Sequence, residues 1–122
     1  MNTHTPLHLT VACLCADWCG VCREYRPLFD ALAVKFPQAR FVWVDVEDEA
    51  DLIDPIEVEN FPTILIASGV NGQSKPLFFG TVLPHIETLE RLIKDRLSAD
   101  FHTNISDAFV AKLAANLQDF EG

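Results

Sequence analysis

Two apolar runs and the segment joining them set the narrowest bound on what this chain can become. "LHLTVACLC" (Leu7 to Cys15) and "ARFVWVDV" (Ala39 to Val46) are short, apolar and partly β-branched or aromatic, as strands buried on both faces are. Between them, "REYRPLFDALAVKF" places Tyr25, Leu28, Phe29, Leu32, Ala33 and Phe36 at helical spacing, with Arg23, Glu24, Asp30 and Lys35 elsewhere. A helix that joins two strands of one sheet makes them parallel and the crossover right-handed. Pro27 predicts a kink inside that helix, because proline lacks a backbone donor and crowds the preceding turn.

The remaining segments extend this unit. "DEADLID" predicts a short helix ended by Pro55, and "PTILIAS" and "KPLFFGT" predict two strands joined by a hairpin turn at Asn71-Gly72. "LPHIETLERLIKDRL" predicts a helix with Pro84 in its first turn and Ile86, Leu89, Leu92, Ile93 and Leu97 toward the core. A last helix, Asn104 to Phe120, capped by Thr103 or Asn104, carries Ile105, Phe109, Leu113, Leu117 and Phe120 on one side. The expected fold is α/β: a central mixed four-stranded sheet, ordered second, first, third, fourth, with helices on both faces. At 122 residues, 49% apolar, the chain suits one core. Residues 1–97 form the expected domain and 98–122 a helical extension of it, which covers apolar surface at home or makes a dimer contact.

Eighteen Asp and Glu against nine Lys and Arg give a formal charge of −9, which repels phosphate backbones and anionic lipid. Neither nucleic acid nor a membrane surface is an expected partner. No run approaches the roughly 20 apolar residues that span a bilayer, and the start lacks a basic leader region, so a cytoplasmic location is expected. From Asp45 to Glu59 the acidic residues have no Lys or Arg among them, which reads as a solvated face or, alternatively, a docking surface for a basic partner. The histidines, His4, His8, His85 and His102, are scattered and suggest no ligand or catalytic role.

All four cysteines lie in "CLCADWCGVC", Cys13 to Cys22. Ala16-Asp17-Trp18-Cys19-Gly20-Val21-Cys22 follows the pattern A-x-W-C-G-P-C of the thioredoxin family. Pro27 matches that family's helix proline, Phe61-Pro62-Thr63 its cis-proline loop, and Gly80 a glycine ending the last strand. On these residues the chain resembles the thioredoxin family from about Leu7 to Leu97. The resemblance implies a thioredoxin-like fold, shortened at the N-terminus and extended by the last helix. It implies a thiol-disulfide oxidoreductase that exchanges a Cys19–Cys22 dithiol with disulfides of protein substrates, uses no cofactor and is regenerated by a reductase. Phe61, Pro62 and Thr63 are then the substrate-binding residues.

The chemistry of the residues agrees. Cys19 sits where a strand hands over to a helix, where unpaired backbone N–H groups and the helix dipole favour a thiolate. Cys22, one turn on, is placed to attack a mixed disulfide on Cys19. Gly20 allows a partner chain to approach, and Trp18 offers apolar surface beside the reactive sulfur. Two departures stand out. Val21 replaces the family's proline and keeps a backbone N–H, which should favour the reduced form. Cys13 replaces a buried Asp whose usual Lys partner falls near Trp43, and a thiol is a poorer proton acceptor there.

Cys13 and Cys15, two apart on a strand, point to one face. They read as small buried apolar side chains, with Cys13 also a candidate third redox thiol. A Cys₄ zinc or iron–sulfur site is the metal alternative, but it needs four sulfurs about 2.3 Å from one ion, for which this run leaves little slack. No metal is expected. The other alternative is a thioredoxin-like binding module, a co-chaperone or assembly factor with little redox turnover.

Overall fold

Strand β1 (His8–Cys15) runs between β2 (Ala39–Asp45), to which it is parallel, and β3 (Thr63–Val70), to which it is antiparallel. β4 (Gln73–Thr81) pairs antiparallel with β3, giving the order β2-β1-β3-β4 that the sequence predicts. The helices are α1 (Gly20–Lys35), α2 (Ala50–Ile53), α3 (Ile86–Arg96) and α4 (Ala108–Gln118). The computed structural model describes residues 8–16, 18–54, 58, 60–70, 73–82, 84–97 and 107–118. The Asn71-Gly72 turn, Pro55, the caps Thr103 and Asn104, and Ile105 and Phe120 lie outside the described residues.

Strand alternation divides the core into two layers. β1 sends Leu9, Val11, Cys13 and Cys15 to one side, where Cys22, Tyr25, Phe29 and Leu32 of α1 and Leu89 and Ile93 of α3 cover them. It sends Ala12 and Leu14 to the other, against Val110, Leu113, Ala114 and Leu117 of α4 and Ile53 of α2. β3 repeats the division, with Ile64 and Ile66 on the first side and Leu65 and Ala67 on the second. Burying each large aliphatic side chain is worth about 1.5–3 kcal/mol, so β1, covered on both faces, anchors both layers.

Several expectations need correction. The buried stripe of α1 is Cys22, Tyr25, Phe29 and Leu32, and Leu28, one position off that stripe, is 45% exposed. Pro84 precedes its helix: His85 has an extended backbone (φ −108°, ψ 118°), so α3 starts at Ile86. Pro27 lies inside α1, as the sequence places it.

The phase of α4 also differs. Phe109 is 55% exposed, and the buried set is Val110, Leu113, Ala114 and Leu117, an i, i+3, i+4, i+7 stripe in which Ala114 permits close approach to the sheet. Asp107 caps this helix, its Oδ1 accepting from the backbone N–H groups of Phe109 (2.8 Å) and Val110 (3.2 Å). Arg40 of β2 donates from Nη1 to the Leu117 carbonyl near the other end, where a cation is favoured. The described apolar stripe of α4 is therefore buried within the chain, against the sheet. Among the described residues, no helix is long and apolar enough to cross a membrane.

Truncating Leu117 to Ala should cost about 2–5 kcal/mol of unfolding free energy, because it opens a cavity between α4 and the sheet. Phe109→Ala should stay within about 0.5 kcal/mol, as a surface change does. Urea denaturation of both variants measures the difference, and equal losses would mean that the helix packs in the other phase.

Candidate thiol site

The site is built where β1 ends and α1 begins. The Cys15 carbonyl accepts from Val46 N–H (2.9 Å), which holds the end of β1 against the residue after β2. Cys19 is the N-cap of α1, with extended backbone (φ −83°, ψ 120°), and its N–H donates to the Ala16 carbonyl (3.0 Å). Its own carbonyl accepts from Arg23 N–H (3.2 Å), the first turn of the helix. Cys19 is a half-buried free thiol, and Cys22, one turn on, is 1% exposed. The helix thus presents one sulfur at the rim and keeps the other behind it.

Cys22 does not pair with Cys19 in this structure. It forms a disulfide with Cys15, across a Cα–Cα distance of 5.9 Å, leaving Cys13 and Cys19 as free thiols. This corrects the reading of Cys15 as an inert apolar side chain. The physical reason lies in the layer geometry. Cys15 ends β1 on the face that looks at α1, and Cys22 is the first residue of the buried stripe of that helix. Cys13 lies deeper in the same layer, its Sγ 3.9 Å from that of Cys15. With Cys15 and Cys22 bonded to each other, their sulfurs do not converge as a Cys₄ site, and no described group of three or more His, Cys, Asp or Glu could hold a metal ion.

Around Cys19 the surface is apolar and open. Trp18 is 63% exposed and meets Phe61 edge to face, ring centroids 5.7 Å apart. A Cβ on Gly20 would meet nothing within 4 Å, so that position leaves free space beside the thiol. The Phe61–Pro62 peptide bond is cis. Its loop is tied down by Val82 N–H donating to the Pro62 carbonyl (3.1 Å) and by the Thr63 hydroxyl donating to the Asn60 carbonyl (2.6 Å). Of the residues named from sequence, Trp18, Gly20 and Val21 are exposed and Cys19 and Phe61 half-buried, with Trp18 and Phe61 in contact, whereas Pro62 and Thr63 are buried.

Behind the sulfurs the electrostatics are those of a dry layer. Burial pushes the Cys13 thiol far above its ordinary range, against a smaller downward pull from the positive charge of Arg26. Cys13 faces Trp43 directly in the β1–β2 register, and Arg26 stacks on the Trp43 ring at 5.1 Å. The Tyr25 hydroxyl is buried without a hydrogen-bond partner, and burial, then Cys13, pushes its pKa up as well. Beside Cys22 a cavity of about 300 Å³ is lined by Ala16, Arg23, Arg26, Pro27, Asp30 and Trp43. Sequence reasoning missed the Cys15–Cys22 link and this cavity. The spacing of Cys15 at a strand end from Cys22 in the first helical turn was the available sign.

A family model described as thioredoxin matches residues 5–92. Among curated relatives, a thioredoxin H-type of Oryza sativa subsp. indica is 36% identical over 77 residues, covering 58% of this chain and 63% of that protein. The thioredoxin of Gallus gallus is 34% identical over 86 residues, covering 70% and 77%. The solved Fasciola hepatica thioredoxin superposes with a TM-score of 0.61 at 28% identity, over 71% of this chain and 79% of that one. The match to the rice protein spans less than two thirds of that relative's length.

Neutral, buried Cys13 and Tyr25 make stability depend on alkaline pH. Their folded values are raised above the unfolded ones, which lie near 9.0 and 10.0. The stabilisation is complete below those values and is lost as pH rises toward the folded ones, because the unfolded chain then binds fewer protons. The urea midpoint should fall above about pH 9. Tyr25→Phe, which removes the unpaired hydroxyl, should be no less stable at neutral pH and should weaken the fall. A midpoint that holds steady to about pH 10.5 would refute the buried, neutral assignment.

Proposed function

Because the chain belongs to the thioredoxin family, we propose that it is a thiol-disulfide oxidoreductase acting on disulfides of protein substrates, with Cys19 attacking and Cys22 resolving. The observation that carries this reading is the arrangement of α1: a half-buried free thiol at its N-cap and a second, fully buried cysteine one turn on. In the reducing direction, the Cys19 thiolate attacks one substrate sulfur and expels the other as a thiolate, forming a mixed disulfide. The Cys22 thiolate then attacks Sγ of Cys19, releasing the second substrate thiol and leaving the Cys19–Cys22 disulfide. The substrate gains two electrons and the chain loses two. A reductase would return them, and we take the cytoplasm as the compartment, because a working dithiol needs surroundings that keep it reduced.

Trp18, Phe61 and the space above Gly20 supply an apolar seat for an extended substrate segment beside Cys19. Phe61, Pro62 and Thr63 are the substrate-side loop in this reading, held by the Val82 and Asn60 hydrogen bonds. Val21, 39% exposed in the first turn, tunes the pair by keeping a backbone N–H where a proline would have none. One observation favours a second reading, a binding module that turns over slowly: with Cys22 bonded to Cys15, Cys19 has no resolving partner.

Starting from fully reduced protein, Cys19→Ser should lower reduction of a model protein disulfide to the uncatalysed rate. Cys22→Ser should instead accumulate a substrate-linked species on Cys19, visible on a non-reducing gel. If wild type and both variants reduce the disulfide at the same rate, the exchange mechanism is wrong; if wild type binds the substrate without turnover, the binding module is right.

A further inference from the structure

Cys13, Cys15 and Cys22 occupy one buried layer, and Cys22 is within bonding reach of Cys15 while standing one helical turn from Cys19. The Cα–Cα separation of 5.9 Å lies inside the window of about 4.4–6.8 Å that disulfides use. Cys19 and Cys22 are three apart on a helix and share a face. Cys22 therefore has a cysteine neighbour on the strand and another at the N-cap of its own helix. We propose that Cys15 is a third redox thiol that competes with Cys19 for Cys22, so that the chain has two alternative internal disulfides and the Cys15–Cys22 form captures substrate instead of turning it over. This rests on the reading of Cys19 and Cys22 as the exchanging pair.

The interconversion needs no external oxidant. Starting from the Cys19–Cys22 disulfide, the Cys15 thiolate attacks Sγ of Cys22; the Cys15–Cys22 bond forms as the Cys19–Cys22 bond breaks. Sγ of Cys19 leaves with the electron pair and takes up the proton that Cys15 gave to solvent. One disulfide replaces another, and the sum of thiols is unchanged. Cys13 acts on the attacking sulfur: its S–H is directed at Sγ of Cys15, 3.9 Å away, where a donor steadies a thiolate.

Burial favours the product. A bonded sulfur needs no solvation, so joining the two fully buried sulfurs leaves the free polar S–H at the half-exposed position, where water reaches it. In that state Cys19 still attacks a substrate disulfide, but no thiol follows to release the product, and the mixed disulfide persists until Cys15–Cys22 is reduced.

Disulfide mapping tests this directly. Cleavage before Asp17 separates Cys13 and Cys15, in residues 1–16, from Cys19 and Cys22, in residues 17–29. Fully reduced protein, oxidised with one equivalent of diamide and blocked natively with N-ethylmaleimide, should yield residues 1–16 linked to 17–29 through Cys15 and Cys22, with the maleimide on Cys19. Cys19→Ser should form the same link, and Cys15→Ser should lose it and show an internal disulfide in 17–29. Should Cys15→Ser fail to fold, wild type and Cys19→Ser decide alone. A link through Cys13, or no link in either protein, overturns the proposal. The exchange reading fails separately, on absent disulfide reduction by reduced wild type whatever the linkage.

Discussion

The double burial of β1 is the constraint on which the rest depends. Strands flank it on both edges and helices cover both its faces, so the side chain at each position has one permitted side. A slip of one residue would turn Cys13 and Cys15 toward α4 and Leu14 toward α1, exposing neither face to water but mismatching both layers. That penalty holds Cys15 against the first turn of α1. The same layer sets the phase of α1, which brings Cys22 inside and leaves Cys19 at the rim.

The chemistry follows from how dry that layer is. At the position where the resemblance leads one to expect a carboxylate, the chain has a thiol that burial keeps protonated, facing Trp43 across the register and close to an unpartnered tyrosine hydroxyl. Ionic charge comes close at one edge, where Arg23, Arg26 and Asp30 share a cavity wall with Cys22 and Arg26 stacks on Trp43. A sulfur layer of this kind favours covalent pairing over ionisation, since a bonded sulfur needs no solvation. The exposed side is its complement, with Trp18 and Phe61 forming an apolar edge around a thiol that solvent reaches.

Element order and the sheet were legible because they rest on periodicity. The alternation of Leu9, Val11 and Cys13 with Ala12 and Leu14 appears in the chain as written, and the order β2-β1-β3-β4 follows from one crossover helix and one hairpin. Helix phase was less legible. Leu28 and Phe109 are apolar and close to the right spacing, yet each sits one position off the buried stripe, because a helix turns by whichever set packs best against the sheet it meets. Ala114, whose smallness brings α4 close, carries no hydrophobic signal strong enough to announce this.

By itself, the sequence determined which residues are strand and which helix, that Cys13 and Cys15 share a face, and that Cys19 stands at a helix start. These are local properties, dictated by the periods of strand and helix. Which sulfur bonds to Cys22 was decided only by tertiary structure. That choice depends on the distance between the end of one strand and the first turn of the next helix, which the chain reversal before Cys19 and the packing of α1 on the sheet establish together; the spacing of Cys15 and Cys22 along the chain permits the link without deciding it.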